Sequence, residues 1–270
     1  MKPERTVGVI GLGLLGRALA ERLRLAGFEV LGYDTSPDAM RTFGSGATEE
    51  AKKARRIVLA VYDTPDVEQV AAEASPVHLI NCVTCDPARM ETLAKLLAAR
   101  GVRYVEAPLS GSSEAIRRGE ATMFVAGDAT GCEDLLKAIT PRRFALGEAG
   151  AALRAKLAIN LVLGLNRAAL AEGMAFAEAL GIPRRTFLEL VRGSPVASSA
   201  AVAKGEKMAT GDFAPDSRIR QHLKDVRRIR EYARFALPLT EAHQKLLEAA
   251  IAAGEGELDN AAIIRRWGQT

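Results

Sequence analysis

Val7-Gly8-Val9-Ile10-Gly11-Leu12-Gly13-Leu14-Leu15-Gly16 decides the fold of this 270-residue chain. An apolar run, then G-x-G-x-x-G, then an amphipathic stretch from Gly16 to Ala26 reads as strand, tight turn and helix. Each glycine has a physical reason. Gly11 makes the turn, Gly13 lets backbone approach a pyrophosphate, and Gly16 lets helix and strand pack closely. Leu12, Leu14 and Leu15 complete the loop between them. The helix N-terminus adds free amides and a positive dipole end for the phosphates. A second strand, Glu29 to Tyr33, runs into Asp34 at the ~20-residue spacing where a carboxylate accepts from ribose hydroxyls. Asp34 also suits a plain turn ahead of Ser36-Pro37. The combined pattern predicts a dinucleotide site. A carboxylate there repels a 2′-phosphate, so NAD is expected over NADP.

Outward from that motif, apolar runs alternate with helical stretches to about residue 150. Further strands are expected at Ile57 to Val61, Val77 to Asn81, Arg103 to Glu106 and Ala121 to Ala126, with a helix at Asp66 to Ala74. Such alternation predicts an α/β Rossmann-type, doubly wound, mostly parallel sheet over 1–150. The pattern then changes. Ala151 to Leu180 holds no proline and no strand-like alternation, and Gly181-Ile182-Pro183 ends it. Helices follow at Pro183 to Arg192, Ser198 to Ala209, Ile219 to Phe235, Pro238 to Ala253 and Asp259 to Trp267. An all-α domain over 151–270 is therefore expected, joined by the long helix. That helix is apolar nearly all round, which predicts burial on several sides and a homodimer or homotetramer through the all-α domain.

Lys156 and Asn160 stand out inside Ala-Lys-Leu-Ala-Ile-Asn-Leu-Val-Leu-Gly-Leu, residues 155–165. Four apart on a helix, they share a face. A lysine in such a stretch either snorkels to solvent or lines a polar site.

Composition narrows the function. The chain is 48% hydrophobic and 26% charged, as in an ordinary globular protein. Its 37 basic and 33 acidic residues are interspersed and aromatics make up 5%, which argues against nucleic acid and suits an anionic cofactor and acidic substrates. No apolar run reaches the ~20 residues of a membrane span. Lys2 and Arg5 before Val7–Leu15 imitate a secretory leader, but Arg17 interrupts it. Cys82, Cys85 and Cys132 make no disulfide framework. Neither the C-x-x-C of the first two nor His78, His222 and His243 completes a metal site. A cytoplasmic, reduced, metal-free protein is expected. Scarce asparagine with abundant arginine and alanine suits either a heat-adapted source or a GC-rich genome.

Four separated motifs give a resemblance to the β-hydroxyacid dehydrogenase family, running nearly end to end. Gly11 to Gly16 looks like its cofactor fingerprint. Glu106-Ala107-Pro108-Leu109-Ser110-Gly111-Ser112 looks like its substrate-binding segment, usually D-A-P-V-S-G-G. Lys156 to Asn160 looks like its K-x-x-x-N helix, and His222-Leu223-Lys224-Asp225-Val226 like its K-D-L segment. The resemblance implies that Lys156 is the general acid/base and that Asn160 orients substrate. It implies that Ser110, Gly111 and Ser112 meet a substrate carboxylate and that Lys224 reaches the nicotinamide end. Thr84 would lie at the nicotinamide ribose, and Val61-Tyr62 would follow the fourth strand beside the cofactor.

The implied reaction is hydride transfer between nicotinamide and a small β-hydroxy acid or semialdehyde carboxylate. Ser112 and Ser113 depart from the usual Gly and apolar residue, and Ser-Gly-Ser is nearer the glyoxylate/succinic semialdehyde reductase branch. An imine reductase and a non-catalytic dinucleotide-binding protein are the other readings; relatives of both kinds replace the lysine. A working base needs its pKa lowered, and Lys224 is expected to supply the charge that does so while holding cofactor. Read without the family, Lys224-Asp225 would be an exposed charged pair on an Arg-rich helix.

Overall fold

The structure is a computed structural model describing residues 5–74 and 76–267. Lys2 of the leader-like segment lies outside the described residues; Val7 to Leu15 forms the first strand and the start of the first helix. Two compact units divide at Lys156 and Leu157.

The first unit holds strands β1 (Thr6–Ile10), β2 (Glu29–Tyr33), β3 (Arg56–Leu59), β4 (His78–Asn81), β5 (Arg103–Glu106), β6 (Leu109–Ser110), β7 (Thr122–Gly127) and β8 (Arg143–Ala145). Its helices are α1 (Leu14–Leu25), α2 (Pro37–Phe43), α3 (Thr64–Glu73), α4 (Pro87–Ala99), α5 (Ser113–Arg117) and α6 (Glu133–Ile139). The sheet order is β2-β1-β3-β4-β5-β7-β6, with β8 beside β7. From β2 to β5 every pairing is parallel; β7 runs antiparallel to β5. Chain order reverses between β1 and β3, and the C-terminal ends of strands at such a switch point form the usual ligand crevice. Fully buried Val7, Val9, Ile57, Val58, Leu59, Leu79 and Ile80 explain why these strands read as continuous apolar runs.

Helix starts follow local chemistry. Ser36 caps α2, Asp63 and Asp66 form a capping box on α3, and Asp86 caps α4, each helix carrying proline in its first turn. The short β6 and β8 escape the sequence pattern. One has two residues, and the other is exposed throughout and shows no alternation.

Helix α7 (Ala151–Ala179) begins in the first unit and continues into the second. There it is joined by α8 (Arg184–Arg192), α9 (Ser199–Thr210), α10 (Ile219–Tyr232) and α11 (Pro238–Ala252). Leu170, Met174, Leu188, Met208, Leu223, Val226, Leu247 and Ile263 form the core of this unit. The expected α-helix at Asp259 to Trp267 is instead a 3₁₀ turn over Asn260–Arg266. Ala261 to Ile264 are buried in succession, so no one-sided stripe defines an α-helix. Asp259, fully buried, also ties down its start, accepting from Lys204 Nζ at 2.7 Å and from the amides of Asp216 and Ala261. Burial would push that carboxyl up; the Lys204 ammonium and the amides outweigh it and hold the group below its ordinary value.

Candidate functional site

The glycine loop leaves β1 and enters α1 with the geometry a bound pyrophosphate needs. Gly11 has φ +92°, and a Cβ there would strike the Ala60 carbonyl just past the neighbouring strand β3. A Cβ on Gly16 would collide with the Gly11 carbonyl, so helix and turn touch through that hydrogen. Gly13 has open space where its Cβ would stand. It is the N-cap of α1 and supplies no side-chain cap, so the first-turn amides keep their donors for a ligand. This bare cradle at the switch point fits a dinucleotide phosphate.

Asp34 follows β2 and closes on the same loop. Its Oδ2 accepts the Leu12 amide at 2.7 Å and its Oδ1 accepts the Ser36 amide at 2.8 Å. Asp34 thus makes the turn before Pro37, as the turn reading has it, and also grips the glycine loop. Each oxygen retains a lone pair for a ribose hydroxyl. Leu14 and Leu15 sit in the first turn of α1, with Leu15 packed on the core. Val61 and Tyr62 follow β3, the third strand in the chain and not a fourth, which closes at Leu59 where Ala60 N donates to the Ile10 carbonyl. Val61 packs on the apolar core, while Tyr62 is exposed. Thr84 lies half-buried in the loop after β4.

Ser110 ends β6, paired with Thr122 of β7. Gly111 follows in a positive-φ turn. The Ser112 hydroxyl accepts the Ala115 amide at 3.2 Å and caps α5, which leaves its hydrogen for a ligand. Ser113 is buried.

Lys156 and Asn160 are 7% and 4% exposed, so the lysine does not snorkel to solvent. Asn160 Nδ2 donates to Asp225 Oδ2 at 2.9 Å. A carboxylate only accepts, so this contact sets the amide: nitrogen toward α10, Oδ1 away from it. Lys224 Nζ lies 3.5 Å from Asp225 Oδ1, with each side chain about one-tenth exposed. The reading of this pair as exposed is thereby overturned. Asn160, Asp225 and Lys224 form one buried group in which Asp225 holds both neighbours. Sequence reasoning gave Asp225 no role, although a carboxylate directly after the lysine was the available signal. Chemically, the group offers an oriented amide and a cation, suited to a polar, anionic small molecule.

The cysteines are free and buried, and burial pushes the Cys82 thiol up to about 12, which keeps it protonated and unreactive. Among the described residues no grouping of three His, Cys, Asp or Glu could hold a metal, and no helix is long and apolar enough to cross a membrane.

Known proteins share the sequence pattern and the fold of this chain. Residues 6–145 match the family described as the NAD binding domain of 6-phosphogluconate dehydrogenase. Residues 150–267 match the one described as NAD-binding of NADP-dependent 3-hydroxyisobutyrate dehydrogenase. The chain is 30% identical to L-threonate dehydrogenase of Cupriavidus necator, over 97% of this chain and 95% of that one. It is 28% identical to 2-(hydroxymethyl)glutarate dehydrogenase of Eubacterium barkeri, over 100% and 97%. The crystal structure of 3-hydroxyisobutyrate dehydrogenase from Salmonella typhimurium superposes with a TM-score of 0.87 at 26% identity, covering 97% of this chain and 99% of that one.

Proposed function

The chain belongs to the β-hydroxyacid dehydrogenase family of NAD(P)-dependent oxidoreductases acting on CH–OH groups, and on that premise we propose that Lys156 is its general acid/base. The observation that carries this is the retained K-x-x-x-N pair, buried, with Asn160 oriented by Asp225. When bound, the nicotinamide supplies or takes up the hydride. Lys156 would move the proton at the substrate oxygen in either direction, and Asn160 would hold that substrate in line. Lys224 would face the substrate and the nicotinamide end and lower the pKa of Lys156, its effect moderated by its own pairing with Asp225. Ser110, Gly111 and Ser112 would take the substrate carboxylate.

The substrate class we propose is a small β-hydroxy acid or semialdehyde carboxylate, with L-threonate and 2-(hydroxymethyl)glutarate, named for the relatives, as further candidates. NAD is the preferred cofactor in this reading, because a 2′-phosphate would meet the Asp34 carboxylate. We further propose a cytoplasmic protein, in keeping with its three free buried cysteines. NADH oxidation with glyoxylate, succinic semialdehyde, tartronate semialdehyde and methylmalonate semialdehyde tests the reading. Reverse assays on 3-hydroxyisobutyrate and L-threonate complete it. Turnover of at least one is expected; no turnover of any would overturn the substrate class.

A homo-oligomer through the second unit is part of the same reading. Val162, Ala169 and Phe176 are exposed at seven-residue steps along α7, with Ile159 and Leu180 beside them. An antiparallel copy centred on Ala169 sets Val162 against Phe176 at both ends, the two-fold pattern of an isologous contact. Light scattering that gives a monomer at micromolar concentration would contradict it.

A further inference from the structure

Glu106 ends β5 and is fully buried. Its Oε1 accepts the Gly150 amide at 2.6 Å and its Oε2 accepts the Leu153 amide at 3.3 Å. The first amides of a helix have no partner within it, and a carboxylate is the strong acceptor that suits their positive end. The chain enters α7 through Gly150 at φ +92°, where a Cβ would run into the Glu91 carboxylate. Glycine takes that conformation without strain. From Glu106 the chain runs on through Pro108 to Ser110; from Leu153 it runs on to Lys156.

We infer that Glu106 is a positioning residue whose carboxylate locks the first turn of α7 onto the end of β5, holding Lys156 in one register with the segment that leads to Ser110. The inference rests on the proposed role of Lys156. Lys156 follows Leu153 by about 4.5 Å along the helix axis. A negative charge so placed also favours the ammonium form of Lys156. Burial lifts the Glu106 carboxyl above its ordinary value, while the amides of Gly150, Leu153 and Ala152 and the Arg154 cation oppose the lift. The neighbouring titratable groups include Arg154 on α7, ion-paired with Glu91 of α4, and Tyr104 on β5, whose hydroxyl accepts from Asn81 Nδ2 at 2.9 Å.

Glu106→Gln and Glu106→Asp, assayed with NADH across pH, test the inference alongside amide hydrogen exchange over residues 148–156. In Glu106→Gln, kcat is expected to fall on the order of tenfold, with the cofactor KM within about twofold. The limb of the pH profile set by Lys156 should move acidward by roughly one unit, and exchange at Gly150 and Leu153 should quicken. Glu106→Asp keeps the charge with a shorter reach, so the parent limb should return with exchange between the two. Unmoved pH limb and exchange in Glu106→Gln would overturn the inference. If that variant does not fold, a shifted limb in Glu106→Asp would overturn it and a parental limb with quickened exchange would support it. An active Lys156→Ala sinks the reading of Lys156 itself, whereas an inactive one beside an unmoved Glu106→Gln sinks only this inference.

Discussion

Asp225 on α10 accepts the Asn160 amide at 2.9 Å, and its other oxygen faces the Lys224 ammonium at 3.5 Å, so one carboxylate orients two side chains proposed to meet the substrate. Removing the charge while keeping the shape separates these duties from packing. Asp225→Asn frees the Asn160 amide to flip and removes the Asp225 charge beside Lys224. A loss in kcat/KM of roughly 10²-fold is expected, with the fold retained by circular dichroism. Steady-state kinetics check this; activity within threefold of the parent would show that Asn160 needs no such partner.

The Asp34 bridge to the Leu12 amide gives the cofactor preference a direct test. In the parent, kcat/KM should favour NAD over NADP. Asp34→Ala removes the repulsion toward a 2′-phosphate and the grip on the glycine loop together. The preference for NAD should fall by at least about tenfold, with weaker binding of both cofactors. A parent that prefers NADP would contradict the role given to Asp34.

The second unit carries an acid-sensitive contact. His222 Nε2 and His243 Nε2 lie 3.0 Å apart, so one must carry the proton and the other accept it. Burial, aided by the nearby Arg167 cation, pushes His243 down to about 4 from 6.5. Between those values the unfolded chain binds the proton and the folded chain does not, so stability falls as pH drops from 6.5 toward 4. The full swing is at most about 3.5 kcal/mol. Urea midpoints measured from pH 7 to pH 4 should decline less steeply in His243→Gln than in the parent. Equal slopes in the two proteins would remove His243 as the cause.

Much of this was legible in the residues because the physics was local. Gly11, Gly13 and Gly16 are demanded by sterics within ten residues of chain, and buried parallel strands announce themselves as apolar runs. The bounds of β2 and β5 match the sequence reading. The segment Asn260–Arg266 was misread, since a continuous buried run has no helical period to read. Glu106 and Asp225 went without roles for a different reason. Their importance lies in contacts to Gly150 and Asn160, 44 and 65 residues away, which no local pattern encodes. Lys224-Asp225 looked like a solvated pair because its burial is a tertiary property.

Lys156→Ala, measured with NADH and the substrate that the screen identifies, tests the central claim most directly. A loss of 10²- to 10⁴-fold in kcat is expected, with the Kd for NADH within about threefold of the parent, because only the proton transfer is removed. Full activity in Lys156→Ala would contradict the account.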